Sequence, residues 1–113
     1  MPEGRITRLE AQESETQSAV YLEAETAATC PWDGTLTQYE VSLDYKPSDS
    51  IVEVRALKHY LDTFHTQEYG QEDLTDAIFE DLDALLEPEW IRLTLSATHA
   101  PGVSMDTERE RSE

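Results

Sequence analysis

Two residue types in this chain could act together on a substrate: one thiol and one well-placed carboxylate. Cys30 is the only cysteine, and it stands in Cys30-Pro31-Trp32-Asp33-Gly34, just ahead of an alternating segment. Its reactive form is the thiolate, and an unperturbed thiol carries only a few per cent thiolate at neutral pH. The bland reading of a lone cysteine is a small buried hydrophobe. Glu72 opens a helix-length segment after Gly70. There a carboxylate is also explained by the helix dipole. Alone neither residue indicates a function; the question is whether the fold brings them together.

Other groups are weaker candidates. His59, His65 and His99 invite a metal reading together with Cys30. No pair has the i, i+4 spacing of a helical metal face, and there is no second cysteine, so no metal site is expected. Arg55 and Lys58, three apart on one helix face, could hold a phosphate. The bland alternative is pairing with Glu53 or Asp62.

The chain has 113 residues, a length for one domain, and a net charge of -17 from 25 acids against 8 bases. A nucleic-acid binder usually has the opposite sign, because phosphates need cations. Such acidity in a patterned domain points to a salt-rich cytoplasm, since about 1 M salt cuts the Debye length to roughly 3 Å. One cysteine excludes an intrachain disulfide. No apolar run approaches the ~20 residues of a membrane span, and Met-Pro-Glu-Gly-Arg is no signal-peptide start. The expected location is the cytoplasm, with no membrane partner.

The patterning predicts the elements that must position the site. Ala19–Leu22, running on to Cys30, reads as a first strand. Pro31–Gly34 is a turn. Tyr39, Val41, Leu43 and Tyr45 alternate with polar residues, which predicts a half-buried strand. Pro47 ends it. Val54, Leu57, Tyr60, Leu61 and Phe64 share one helix face, as do Leu74, Ala77, Ile78, Leu82 and Leu85. Glu87-Pro88 stops the second helix. Ile91, Leu93, Leu95 and Ala97 predict another strand, and Val103–Met105 a short last one after the Pro101-Gly102 turn. This order is α+β, an antiparallel sheet with two helices on one face. The expected organisation is a polar, frayed N-terminus over 1–15, one domain over 16–106, and a charged, disordered tail over 107–113.

Taken together, the spacings are similar to those of the 7-cyano-7-deazaguanine reductase (QueF) family. Cys30-Pro31, the turn at Gly34 and a strand ending Tyr45-Lys46-Pro47 carry the first part of the resemblance. Val52–Leu61 resembles the family's Val-Glu-Ser-Lys-Ser-Leu-Lys-x-Tyr-Leu segment. Gln71-Glu72-Asp73 resembles its His-Glu-Asp, Glu87–Ile91 its Asp-Pro-x-Tyr-Ile, and Gly102–Asp106 its Gly-Ile-Ser-Ile-Asp. The resemblance implies the T-fold, with subunits assembled into barrels as a homo-oligomer. It implies a small-molecule deazapurine substrate whose nitrile carbon is attacked by Cys30 to give a thioimide, with NADPH reducing that adduct to an aminomethyl group. Glu72 would bind the base. Glu53 matches the glutamate of the second motif, a substrate-binding position. Arg55 and Lys58 would handle the cofactor phosphate.

Several positions depart from the family pattern. The aspartate expected seven residues after the cysteine, a proton donor, is Thr37, and Asp33 is a possible substitute. The histidine before the glutamate is Gln71, the motif's serine and lysine are Val54 and Arg55, and an arginine near the C-terminal glycines is Ala100. A related archaeal branch, resembling an amidinotransferase, has the same cysteine and fold but no NADPH. It adds ammonia to the nitrile of a base already in tRNA, giving archaeosine. A T-fold protein that binds a deazapurine without turnover is a third reading.

Overall fold

Alternation builds the sheet. On β3 (Leu36–Lys46) the side chains of Tyr39, Val41, Leu43 and Tyr45 point one way, and none is more than 3% exposed. β3 pairs antiparallel with β2 (Val20–Thr29) from Val20 opposite Tyr45 to Thr29 opposite Leu36. On its other side it pairs with β5 (Trp90–Ala100), which pairs in turn with β6 (Val103–Ser112). The sheet order is therefore β2-β3-β5-β6. The molecule is a computed structural model, and residues 9–112 are described.

Two helices cover the apolar face. α1 (Val54–Asp62) buries Leu57, Tyr60 and Leu61, and a 3-10 turn (Thr63–Thr66) adds Phe64. α2 (Gln71–Leu86) buries Leu74, Ile78, Phe79, Leu82 and Leu86. Glu53 caps α1 by accepting the Ala56 N–H at 2.9 Å. Glu87 ends α2 in the left-handed region at φ 44°, its N–H donating to the Asp83 carbonyl, and Pro88 cannot continue the helix. Thr26, buried on β2, donates its hydroxyl to the Leu61 carbonyl at 2.6 Å and so ties α1 to the sheet. No helix among the described residues is long and apolar enough to cross a membrane. The α+β reading holds, with both helices on one face.

Both expected floppy ends are different. β1 (Ala11–Glu13), inside the segment read as frayed, pairs antiparallel with β4 (Ser50–Val52), which follows the Pro47 break. Residues 1–8 and 113 lie outside the described residues. The segment 107–113 was expected to be a disordered tail, yet β6 runs to Ser112. Its pairing with β5 continues from Thr107 opposite Leu95 to Ser112 opposite Trp90. The reason lies in the alternation of acids and bases. Glu108 and Glu110 are exposed, whereas Thr107, Arg109 and Arg111 fall on the helix side. Arg109 reaches Asp76 at 3.0 Å and lies 4.5 Å above the Phe79 ring. Arg111 forks onto Asp83 and also donates to the Pro88 carbonyl. Arginine stems cover apolar surface, so a charged strand can close a core.

The face away from the helices is acidic. Glu25 stands directly opposite Glu40, a like-charge pair, while Asp44 pairs with Arg92 at 3.2 Å.

Two outcomes follow from this packing. A chain ending at Asp106 loses half of β6 and the arginine anchors. It should lose about 3 kcal/mol and melt on the order of 10 °C lower, because each buried hydrogen bond is worth about 1 kcal/mol net. An unchanged Tm would return the segment to a dispensable tail. Raising KCl from low to molar concentration should raise the Tm of the full chain, since the acidic face repels itself across distances that salt screens. A Tm that falls with salt contradicts this electrostatic account.

Candidate active site

The end of β2 is tied to the loop that leads into α2. The Thr29 N–H donates to the Gln67 carbonyl at 2.9 Å, and the Tyr69 N–H donates to the Thr29 carbonyl at 3.0 Å. Thr29 precedes Cys30, and Tyr69 shortly precedes Glu72. This short parallel bridge therefore ties the chain just before Cys30 to the segment that leads into α2.

The Cys30 loop is closed from within. The Cys30 N–H donates to the Thr35 carbonyl at 2.7 Å, and the Gly34 N–H donates back to the Cys30 carbonyl at 3.0 Å. Gly34 has φ 76°, a conformation that glycine adopts without strain. The Asp33 carboxylate accepts from the Thr35 N–H at 3.0 Å and the Thr35 hydroxyl at 2.8 Å. These bonds, and a lesser one from the Cys30 thiol, hold its pKa below the usual aspartate value. Asp33 is thus an ionised acceptor facing the thiol. That environment opposes the proton-donor role the sequence offered it.

Tyr39 is buried on β3. It lies two residues beyond Thr37 on the same face of β3, opposite Thr26. Burial raises its phenol pKa first, and the negative charges of Cys30 and Glu72 raise it further; a hydrogen bond with the Thr37 side chain acts the other way. Thr37 itself is half-buried opposite Ala28. The Tyr39 ring meets His99 edge to face, with centroids 6.4 Å apart.

Gln71 fixes the opposite wall. It is 2% exposed. Its Nε2 donates to the Leu95 carbonyl at 3.0 Å, the Met105 carbonyl at 2.9 Å and the Thr107 hydroxyl at 3.3 Å. Its Oε1 is therefore an acceptor, and the His99 Nε2 at 2.6 Å must carry the proton of that hydrogen bond. Thr75 donates to the Gln71 carbonyl at 2.8 Å, so the Thr107 hydroxyl donates to Thr75 at 2.6 Å. Composition and spacing gave no hint of this Gln71–His99 pair, because its members lie far apart in the chain.

The remaining candidates lie elsewhere. Glu53 is spent as the α1 cap, with its pKa lowered first by the Ala56 N–H. It follows Val52, whose N–H is bound by the Tyr45 hydroxyl. Tyr45 is eight residues along β3 from Thr37, roughly 26 Å at the usual strand rise. The monomer therefore does not join Glu53 to Cys30. Arg55 is exposed and 3.8 Å from Glu53. Lys58 pairs with Asp62 at 3.0 Å and lines a cleft of about 490 Å³ with Tyr39, Thr26, His65, Ser96 and Ser104. No cluster with metal-ligand geometry occurs among the described residues.

Comparison with known proteins places this geometry in a family. A family model described as QueF-like protein matches residues 39–113, starting after the Cys30 turn. The NADPH-dependent 7-cyano-7-deazaguanine reductase of Caldicellulosiruptor bescii is 30% identical over 84 residues, covering 74% of this chain and 64% of that protein. The enzyme of the same name from Thermotoga maritima is 34% identical over 92 residues, covering 78% of this chain and 67% of that protein. The chain thus spans under two thirds of the first of these relatives. The crystal structure of an archaeosine synthase, QueF-Like, in the apo form superposes with a TM-score of 0.82 at 23% identity, over 88% of this chain and 98% of the other. The architecture is accordingly that of the T-fold, and the chain belongs to the QueF-like protein family.

Proposed function

We propose that this chain captures the nitrile of a 7-cyano-7-deazaguanine base as a thioimide on Cys30 and that NADPH reduces the adduct to the aminomethyl product. The observation that supports the reading is the Thr29 bridge, which ties the chain just before Cys30 to the segment leading into the helix that carries Glu72. A nitrile carbon needs a soft, strong nucleophile, and a thiolate is one. The base's ring N–H and exocyclic amine need an acceptor, and an exposed carboxylate at a helix start provides one.

The chain's own part in the reaction can be written atom by atom. The S–H proton leaves to water, and Asp33 is an ionised acceptor of a hydrogen bond from the thiol. The sulfur then bonds to the nitrile carbon, one C–N π bond breaks, and the nitrogen takes a proton. Glu72 holds the ring edge so that the nitrile points at the sulfur. NADPH, when bound, supplies the hydride. Lys58, with the hydroxyls of Ser96 and Ser104 in the same cleft, is a donor set that fits a phosphate, and Asp62 is the anion a phosphate would displace. Arg55 is a second cation for that task. The edge strands β2 and β6 each pair with a strand on one side only among the described residues, and a homo-oligomer joined at those edges is part of this reading. Such assembly could also bring Glu53 to a site on another copy.

A second reading ends the reaction differently: ammonia adds to the same thioimide on a base carried by tRNA. It is favoured by the near-complete overlap with the archaeosine synthase, against partial overlap with the reductases. It is also favoured by the existing acid partners of Arg55 and Lys58.

Incubation with 7-cyano-7-deazaguanine in high salt should add the mass of the base to the intact chain, and Cys30→Ala should abolish that addition. A Cys30→Ala chain that still gains the mass defeats the assignment. Consumption of NADPH by the adduct marks the reductase. Incorporation of labelled ammonia marks the amidinotransferase, and a bound base with neither marks a binding protein.

Glu72→Gln should weaken binding of the base to the Cys30→Ala chain by about 10- to 100-fold, since a charged hydrogen bond is worth about 1.5–3 kcal/mol. Calorimetry showing equal affinity for both chains removes Glu72 from the site.

A further inference from the structure

We infer that Trp32 is a substrate-binding residue whose indole stacks on the flat face of the base captured at Cys30. The inference rests on the thioimide reading above.

Trp32 lies inside the Cys30 turn, yet nothing in the proposed reaction uses it. Its side chain is 90% exposed, more than any other large hydrophobic one among the described residues. Leu36, 53% exposed, stands where the same turn enters β3. Single exposed apolar side chains need no explanation, but two at one turn beside a nucleophile do. An indole in water leaves a large apolar surface unburied, and the face of a flat ring covers it well.

The chain itself keeps the indole near the sulfur. Consecutive Cα atoms are about 3.8 Å apart, so the Trp32 Cα lies within about 7.6 Å of the Cys30 Cα. The turn between them is tied at both ends. The Cys30 N–H donates to the Thr35 carbonyl at 2.7 Å, and the Gly34 N–H donates to the Cys30 carbonyl at 3.0 Å. The Asp33 carboxylate accepts from the Thr35 N–H and hydroxyl. Pro31 fixes its own φ just ahead of the tryptophan. An aromatic ring on so constrained a turn gives up little freedom when it binds. In the adduct the base is two bonds from the sulfur. Covalent bonds therefore confine base and indole to one small region.

The chemistry of the base selects this occupant. Glu72 can accept from its edge, but a carboxylate offers nothing to its faces. Stacking on an aromatic side chain uses the face and tolerates substituents on the ring. Charge points the same way. Asp33 is an ionised neighbour, and the chain carries a net charge of -17, so a second copy meets like charge at this turn. The base is neutral.

The test uses the Cys30→Ala chain, where binding is separated from adduct formation. Trp32→Ala in that background should weaken binding of 7-cyano-7-deazaguanine about 10-fold or more by calorimetry, the range of base stacking on an aromatic ring. Trp32→Phe keeps a π face and should stay within about threefold. Trp32→Leu is apolar without one and should lose as much as alanine. The Tm should hold in all three. Saturating base should quench tryptophan fluorescence and shield it from acrylamide. The Trp32→Phe chain should show neither effect, since its remaining Trp90 pairs with Lys46 at the far end of β3. Equal affinity with alanine and tryptophan, or a leucine chain that binds like the phenylalanine one, overturns the inference. A Trp32 already shielded before base is added, with Trp32→Ala lowering the particle mass in solution, makes it a contact between copies and also overturns it. Mass gain at Cys30 with Trp32→Ala affinity unchanged defeats the stacking alone. No mass gain at Cys30, with binding still dependent on Trp32, defeats the thioimide reading and leaves the stacking contact standing.

Discussion

The site depends on two backbone hydrogen bonds at Thr29. A strand end and a helix start have no intrinsic reason to meet, since one leaves the sheet and the other enters from a loop. The bonds between Thr29 and residues Gln67 and Tyr69 remove that freedom. They add one short parallel rung to an otherwise antiparallel arrangement. The tie between the end of β2 and the segment before α2 is made by main chain, so it does not depend on the side chains there.

Gln71 does for the far side of the site what Thr29 does for the near side. A buried amide is costly unless satisfied. Here it is bound on both ends: carbonyls of β5 and β6 and the Thr107 hydroxyl accept from its amide nitrogen, and the His99 N–H donates to its oxygen. The same node joins α2 to the last strand and orients an imidazole against Tyr39. Stability and site geometry are therefore coupled through one residue, and a change there disturbs the helix start on which Glu72 sits.

Charge is distributed with a consistent logic. The outer sheet face carries Glu23, Glu25, Glu40, Glu108 and Glu110, which water and salt can screen. Among the described residues, three arginines close the core or balance an acid: Arg109 and Arg111 on α2, Arg92 on Asp44. Lys58, with Asp62 as its partner, is the cation of the cleft that Tyr39 lines. A phosphate arriving there would compete with a carboxylate for Lys58.

The sequence by itself determined the element order and the faces. Period two in Tyr39–Tyr45 and Ile91–Ala97, and the helical spacing of Leu74, Ile78 and Leu82, are local consequences of burying one side of an element, so they can be read without a structure. The spacing of Cys30, Val52–Leu61 and Glu72 likewise carried the family resemblance. Local reading failed where partners are distant. Ala11–Glu13 has no strong pattern and is a strand only because β4 lies beside it. Thr107–Ser112 looks like a charged tail because arginine counts as polar, although its stem can cover a helix. Tyr39 reads as one more apolar strand residue. Only the tertiary structure placed it against His99, because that neighbourhood is made by the pairing of distant strands, and no stretch of sequence contains it.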